Sequence, residues 1–340
     1  MKRKTKAFLW LIGSLGAAYA TKKLVRDSRE IQYKDKVVLI TGGSRGLGLV
    51  MARQLAEAGA RLALCARDAQ ELERAAQELF ETGADVLTVP CDVTDPQQIN
   101  EMIGKVRERF GTIDVLINNA GVIQVGPLET MSRQEYEEAM NTHFWGPYHT
   151  TQALLPLLRQ KGEGRIVNVA SIGGKVAIPH LAPYSASKFA LVGFSEGLRA
   201  ELMKSGILVT TACPGLIRTG SPRNATIKGD HQKEYAWFSI ADSIPGLSLS
   251  AEATARAILE AARKGEAEVV TSVPAKILTG LHGWFPGLAT DLMALTNRLL
   301  PKPGTLKNTT AQKGYESQSW VSPSPVTQLT EKAAAQNNEM

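Results

Sequence analysis

The chain has 340 residues, 44% of them apolar and 21% charged, with a formal net charge of +6. That length suits one large α/β domain with extensions, or two small domains. Cys65, Cys91 and Cys213 lie too far apart for a disulfide framework or a metal spacing, and no aromatic-studded basic stripe points to nucleic acid.

The excess charge gathers at the N-terminus. Lys2, Arg3, Lys4 and Lys6 precede an uncharged run, Ala7–Ala20, and Lys22, Lys23, Arg26 and Arg29 follow it. As a helix this run would span about 21 Å, short of a hydrocarbon core of about 30 Å. It reads as a signal peptide ending Ala18-Tyr19-Ala20, as a tilted anchor extended through Leu24-Val25, or as an interfacial helix. Basic residues on both sides leave the topology undecided and favour an anionic membrane surface.

The segment Val38–Gly48, VLITGGSRGLG, follows. Val37 to Ile40 predict a buried parallel strand, Gly42, Gly46 and Gly48 a tight turn, and Leu49 to Ala58 an amphipathic helix. Strand, glycine turn and helix form the first unit of a dinucleotide-binding fold: the backbone can approach a diphosphate, and the helix N-terminus presents partial positive charge to it. The spacing Gly-x-x-x-Gly-x-Gly departs from the general fingerprint Gly-x-Gly-x-x-Gly.

The second strand ends Leu64-Cys65-Ala66-Arg67, where an acidic residue would serve a ribose 2′-hydroxyl. Asp68 comes one place later and reads as a helix cap. Arg67 and Arg45 instead suit a 2′-phosphate, which favours NADP(H) over NAD(H). Further strands are expected near 85–90, 113–118, 164–170, 207–213 and 267–272. Asp95-Pro96 marks a helix start, and Ser132 with Glu135 a capping box. Alternation from 36 to 272 predicts an α/β fold: a doubly wound, Rossmann-like parallel sheet of about seven strands, covered by helices on both faces, in a single domain spanning 35–273. Its ligand belongs at the carboxyl ends of the strands.

Tyr184 and Lys188 lie four apart, on one face of a predicted helix. A tyrosine of ordinary pKa, about 10, is a poor proton donor and acceptor near neutrality, and a neighbouring ammonium lowers it. Ser171, at a strand end, can hold a substrate oxygen beside the phenol.

With these pieces in order, the chain resembles the short-chain dehydrogenases/reductases, in the branch with TGxxxGxG and YxxxK motifs, over residues 36 to 272. Thr41-Gly42-Gly43-Ser44-Arg45-Gly46-Leu47-Gly48 is similar to the family's cofactor turn. Cys91-Asp92-Val93 resembles its adenine-contacting segment. Asn118-Asn119-Ala120-Gly121 resembles the motif that lies along the cofactor, and Pro214-Gly215 with Thr219 the loop at the nicotinamide carboxamide. The resemblance implies a catalytic tetrad of Asn141, Ser171, Tyr184 and Lys188. In it Ser171 holds the carbonyl oxygen, Tyr184 transfers the proton, Lys188 tunes the tyrosine and binds the nicotinamide ribose, and Asn141 holds a relay water. It leaves His143 and His180 without a catalytic part. It also implies hydride transfer between NADP(H) and a carbonyl or alcohol, with a homodimer or homotetramer formed through helices near 132–160 and 184–203. Export would part such an enzyme from its cofactor, so retention at a membrane with the catalytic domain in the cytoplasm is expected.

Substrate choice is expected in Val122–Pro127, Ile172–His180 and Leu216–Ser250. Tyr235, Trp237, Phe238, Ile240 and Ile244 in the last of these suit an apolar, lipid-like substrate. Residues 274–303 carry an apolar helical pattern that fits docking on the domain somewhat better than a membrane-facing surface. Residues 304–340 are polar and aperiodic, which predicts disorder. One reading of another class stands beside the reductase, a non-catalytic NADP(H) sensor or scaffold, against which the intact Ser171, Tyr184 and Lys188 argue. A nucleotide-sugar epimerase, which shares the fold, fits less well because such enzymes usually carry a different glycine spacing and a larger substrate domain.

Overall fold

A computed structural model describes residues 26–302 and 310–340. The N-terminal apolar run, Ala7–Ala20, lies outside them. Seven parallel strands form one sheet: β1 (Val37–Thr41), β2 (Arg61–Ala66), β3 (Val86–Pro90), β4 (Val115–Asn118), β5 (Gly164–Val169), β6 (Ile207–Cys213) and β7 (Glu268–Val270). Their order is β7-β6-β5-β4-β1-β2-β3. The seven expected strands all form.

Both faces of the sheet are covered, because βαβ crossovers place helices on each side. Along β1 all five residues are buried, and Ile40 faces Leu64 of β2 on one edge and Ile117 of β4 on the other. On one face pack α1 (Gly46–Glu57) through Leu49, Met51 and Leu55, α2 (Ala69–Glu81) through Leu72, and, beyond them in the chain, the helix Ala251–Arg263 through Ile258. The opposite face holds α3 (Pro96–Phe110) through Ile99, Met102 and Val106. Later helices close it through Leu154, Leu158 and Leu202.

Local signals in the sequence set the helix starts. Asp68 accepts from the amides of Gln70 and Glu71, and Asp95 from Gln97, satisfying otherwise orphaned N–H groups. Helix α4 (Arg133–Met140) opens with the Ser132–Glu135 capping box. A π-helical turn over Asn141–Trp145 then leads into α5 (Gly146–Lys161). Such turns often mark functional sites. Helix α6 spans Ala182–Leu202, α7 His231–Ser243, and α8 is the Ala251–Arg263 helix already placed.

Two expectations fail. The extension forms α9 (Val273–Trp284) and α10 (Pro286–Asn297), but only Ala275 and Ala289 of these helices are buried. Ile277, Trp284, Phe285, Leu288 and Leu295 are exposed, so the apolar row does not dock on the domain. Residues 310–340, expected to be disordered, are ordered. Gln312–Lys313 pairs with Thr226–Ile227, and α11 (Gln328–Gln336) lies against the body. Polar side chains hold this segment through hydrogen bonds to distant backbone, such as Asn338 Nδ2 to Ser44 O at 2.9 Å. Hydropathy periodicity carries no trace of such bonds.

A chain of buried polar groups crosses the middle of the sheet. Thr150 Oγ1 donates to Asn118 Oδ1 at 2.7 Å, Asn118 Nδ2 to Asn168 Oδ1 at 2.8 Å, and Asn168 Nδ2 to Ser195 Oγ at 2.8 Å. Removing a partner strands the others without water. Asn118→Leu is therefore expected to lower unfolding free energy by about 1–3 kcal/mol in a urea titration.

Candidate active site

The strand order reverses between β1 and β4, and a cavity of about 800 Å³ opens there at the carboxyl ends of the strands. Its floor is built from the two strand ends. Thr41 Oγ1 accepts from the amides of Asn119 and Ala120 at 3.1 and 3.2 Å, and Asn119 Nδ2 donates to Gly42 O at 2.9 Å. Gly42 has φ +64°, and a Cβ on it would lie 2.8 Å from Ala120 Cα, so the turn admits no side chain there.

Most of the expected cofactor residues line this cavity: Gly42, Ser44, Arg45, Gly46 and Leu47 at the turn, Arg67, Asp92 and Val93 beside it, Asn119, Ala120 and Gly121 along the floor, and Pro214, Gly215 and Thr219 toward the far end. Thr41 and Gly48 lie beneath it and shape the turn. The cavity therefore accommodates an extended group with an anionic middle at the α1 N-terminus. The two arginines do not converge freely. Arg45 Nη1 meets Glu71 Oε1 at 2.8 Å and its Nε meets Glu339 Oε2 at 3.5 Å, while Arg67 is exposed on the rim.

Ser171, Tyr184 and Lys188 come together on one wall. Ser171 ends the β5 arm and accepts from Gly173 N at 3.0 Å. A Cβ on Gly173 would meet the Tyr184 ring at 3.2 Å and Ser171 Oγ at 3.5 Å, so this glycine lets serine and phenol face each other. Lys188 is buried. Its Nζ lies 5.6 Å from the Tyr184 ring centroid and donates to Val169 O at 2.8 Å.

The expected tuning is not what the geometry produces. Burial pushes Tyr184 up to about 12, partly opposed by the Ser171 hydroxyl, and pushes Lys188 down to about 7. Desolvation outweighs mutual attraction because both groups sit away from water while the lysine turns toward a carbonyl. At neutral pH the phenol is held protonated and the lysine is balanced between its two forms, so the lysine is the member of the pair whose pKa lies near neutrality.

Asn141 is not part of this cluster. Its side chain is exposed and does not line the cavity, whereas His143 is 1% exposed and does. Residues two apart on a helix point to opposite sides, so with His143 turned inward Asn141 must turn out. His143 Nε2 accepts from Val122 N at 3.1 Å, which leaves the proton on Nδ1 for the Ser187 hydroxyl at 2.8 Å. Ser187 in turn donates to Tyr184 O. Burial first, then the nearby Lys188, drives the His143 pKa well below its usual range. Sequence reasoning set His143 aside because the borrowed tetrad was already full. Its place two residues after Asn141, on the opposite side of the same helix, was the available signal.

A second residue was missed. Asp242 on α7 is 3% exposed and lines the cavity, and burial raises its carboxyl well above the usual range. No motif marks it. Among the expected lid residues Trp237 and Phe238 line the cavity; Tyr235 is fully buried in a small core with Val125 and Ile227, and Ile240 and Ile244 lie off the lining. His180 is buried with Nδ1 2.9 Å from the Glu234 carboxylate, and all three cysteines are buried and unpaired.

Residues 36–228 match the sequence profile of the family described as short chain dehydrogenase. The dehydrogenase/reductase SDR family member 7B of Bos taurus is 36% identical over 84% of this chain and 88% of its own length. Among solved structures, a short chain dehydrogenase/reductase from Burkholderia phymatum in complex with NAD superposes with a TM-score of 0.70. It is 25% identical and covers 76% of this chain and 96% of its own. A variant of actinorhodin polyketide ketoreductase with NADPH gives a TM-score of 0.63 at 32% identity, over 70% of this chain and 95% of its own.

The depressed lysine has a measurable sign. Lys188 binds fewer protons folded than unfolded between about pH 7 and its ordinary 10.5, so it costs stability below pH 7 and progressively less as pH rises through that window. Lys188→Met is expected to unfold at the same or a higher temperature than the parent at pH 7, with the advantage shrinking toward pH 10. Thermal melts across that range check it.

Proposed function

The chain belongs to the short-chain dehydrogenase/reductase family, and from that premise we propose that it is an NADP(H)-dependent reductase of carbonyl groups on apolar substrates. One observation carries the reading: Ser171, Tyr184 and Lys188 meet on one wall of a cavity whose other end is the glycine turn at α1. When bound, the nicotinamide supplies or takes the hydride. Gly42–Leu47 and Asn119–Gly121 would hold the dinucleotide along the strand ends, with Thr219 at its nicotinamide end, and Arg67 with Arg45 would take the 2′-phosphate.

The protein's own groups then handle the carbonyl. The Ser171 hydroxyl donates to the substrate oxygen and stabilises negative charge as it builds there. Tyr184, protonated at neutral pH, gives its proton to that oxygen. Lys188, with a pKa of about 7, restores the proton to the phenol. His143 takes the structural place that resemblance gave to Asn141. It bridges the Val122 loop to the helix that carries Tyr184 and Lys188, and so holds the acid in register with the cavity floor.

Trp237, Phe238, Leu247 and Leu278 give the substrate end an apolar wall. Leu278 belongs to α9, whose exposed apolar row continues onto α10 with Lys276, Arg298 and Lys302 beside it. This supports delivery of an apolar substrate from an anionic lipid surface. No helix among the described residues is long and apolar enough to cross a membrane, so attachment by this row would be to the surface. Exposed Trp145 and Phe189, on the expected dimer helices, support self-association.

The test is NADPH oxidation against ketones of rising chain length. Tyr184→Phe is expected to lower turnover at least about 100-fold, as loss of a general acid does. Arg67→Ala is expected to reduce the preference for NADPH over NADH about tenfold, in line with one charge-assisted contact. Tight NADPH binding with no turnover on any carbonyl would favour the sensor reading. Equal rates for short and long ketones would remove the apolar-substrate claim.

A further inference from the structure

The C-terminal residues end on the glycine turn itself. Helix α11 seats Ala334 against Gly220, whose φ of +94° and lack of a side chain make the close approach possible. Arg53 fixes the end of the helix, Nη2 donating to Gln336 O at 2.7 Å and Nη1 to Asn337 Oδ1 at 3.0 Å. Beyond it the chain lies over the N-terminus of α1. Gly46 N donates to Asn337 O at 2.8 Å, and Asn338 Nδ2 donates to Ser44 O at 2.9 Å and to Glu71 O at 3.1 Å. Glu339 then turns into the cavity at 7% exposure. Its Oε2 accepts from Asn224 Nδ2 at 2.6 Å and lies 3.5 Å from Arg45 Nε, and its Oε1 is 2.5 Å from where a Cβ on Gly46 would stand.

A helix N-terminus with glycines and an arginine is built for an anion. Here the Asn337 carbonyl takes the Gly46 amide and the Glu339 carboxylate faces Arg45, so the same chain occupies donors that a dinucleotide's phosphates would need. A carboxylate and a diphosphate cannot share so small a desolvated space, because like charges repel strongly there. Burial also pushes the Glu339 carboxyl up to about 7. Lodging a charge at this place is costly, and hydrogen bonds that a ligand can replace are what hold it.

We propose that Asn337–Met340 is a tethered competitor of the nicotinamide cofactor, with Glu339 seated where the cofactor's phosphates bind and displaced when they enter. The inference rests on the dinucleotide reading of the cavity. Linkage makes it reciprocal: the tail weakens cofactor binding, and bound cofactor frees the tail.

Two full-length-based variants test it. Glu339→Gln keeps the size of the side chain and an acceptor for Asn224 and removes its charge, and a chain ending at Gln336 removes Asn337–Met340 while keeping α11. Thermal melts establish that both fold. The dissociation constant for NADPH, followed by protein fluorescence, is expected to fall about tenfold in each, the equivalent of one charge-assisted contact. In the parent, NADPH is expected to quicken trimming of the C-terminus by a carboxypeptidase. A measurable but unchanged constant overturns the competitor alone. A raised constant overturns it too, by making the tail a clasp over bound cofactor. Failure of the parent and both variants to bind NADPH or NADH overturns the dinucleotide reading along with it.

Discussion

The joining of β1 to β4 is the constraint on which the rest of the molecule depends. The sheet reverses its strand order there, so the helices that follow the two strands depart to opposite faces and leave a crevice between them. The Thr41 hydroxyl and the Asn119 side chain close that crevice at the bottom by bonding one strand end to the other. Gly42 must then be a glycine, α1 starts where it does, and the Asn119–Gly121 stretch becomes a floor instead of a free loop. A few hydrogen bonds in a buried place thus set the geometry of the cavity, since each is costly to leave unmade.

From that floor the site is assembled by two relays of polar contacts. One runs inside the sheet through Asn118, Asn168 and Ser195 and fixes α6 against β5, which brings Tyr184 and Lys188 beside Ser171. The other runs through His143, from the Val122 amide to Ser187 on α6. The π-helical turn at Asn141–Trp145 gives His143 its inward place. Both relays are dry, and the same dryness raises Tyr184 and lowers Lys188. Burial costs stability at the lysine and at the same time brings its pKa to about 7.

The seven-stranded parallel sheet and most of the cavity lining were legible in the sequence. Apolar runs of five or six residues between turn signals marked the strands, and the caps at Asp68, Asp95 and Ser132 behaved as their side chains require. The site was less legible where sequence position and spatial position part. Asn141 came from the resemblance alone, and a two-residue difference on a helix is the difference between outside and inside. Asp242 lies in no motif, because its meaning comes only from the wall it faces. Arg45 read as a free phosphate ligand, yet Glu71, placed by the second helix, and Glu339, nearly 300 residues away in the chain, both oppose it.

The sequence by itself determined the α/β architecture, the glycine turn and the identity of Ser171, Tyr184 and Lys188, since these follow from local periodicity and short-range spacing. Only the tertiary structure decided which helix face looks inward at residues 141–145, that the apolar row of α9 and α10 stays exposed, and that the polar C-terminal segment is ordered on the cofactor turn. Those outcomes depend on contacts between residues distant in the chain, made largely by hydrogen bonds and close backbone approach. Neither leaves a periodic mark in the sequence.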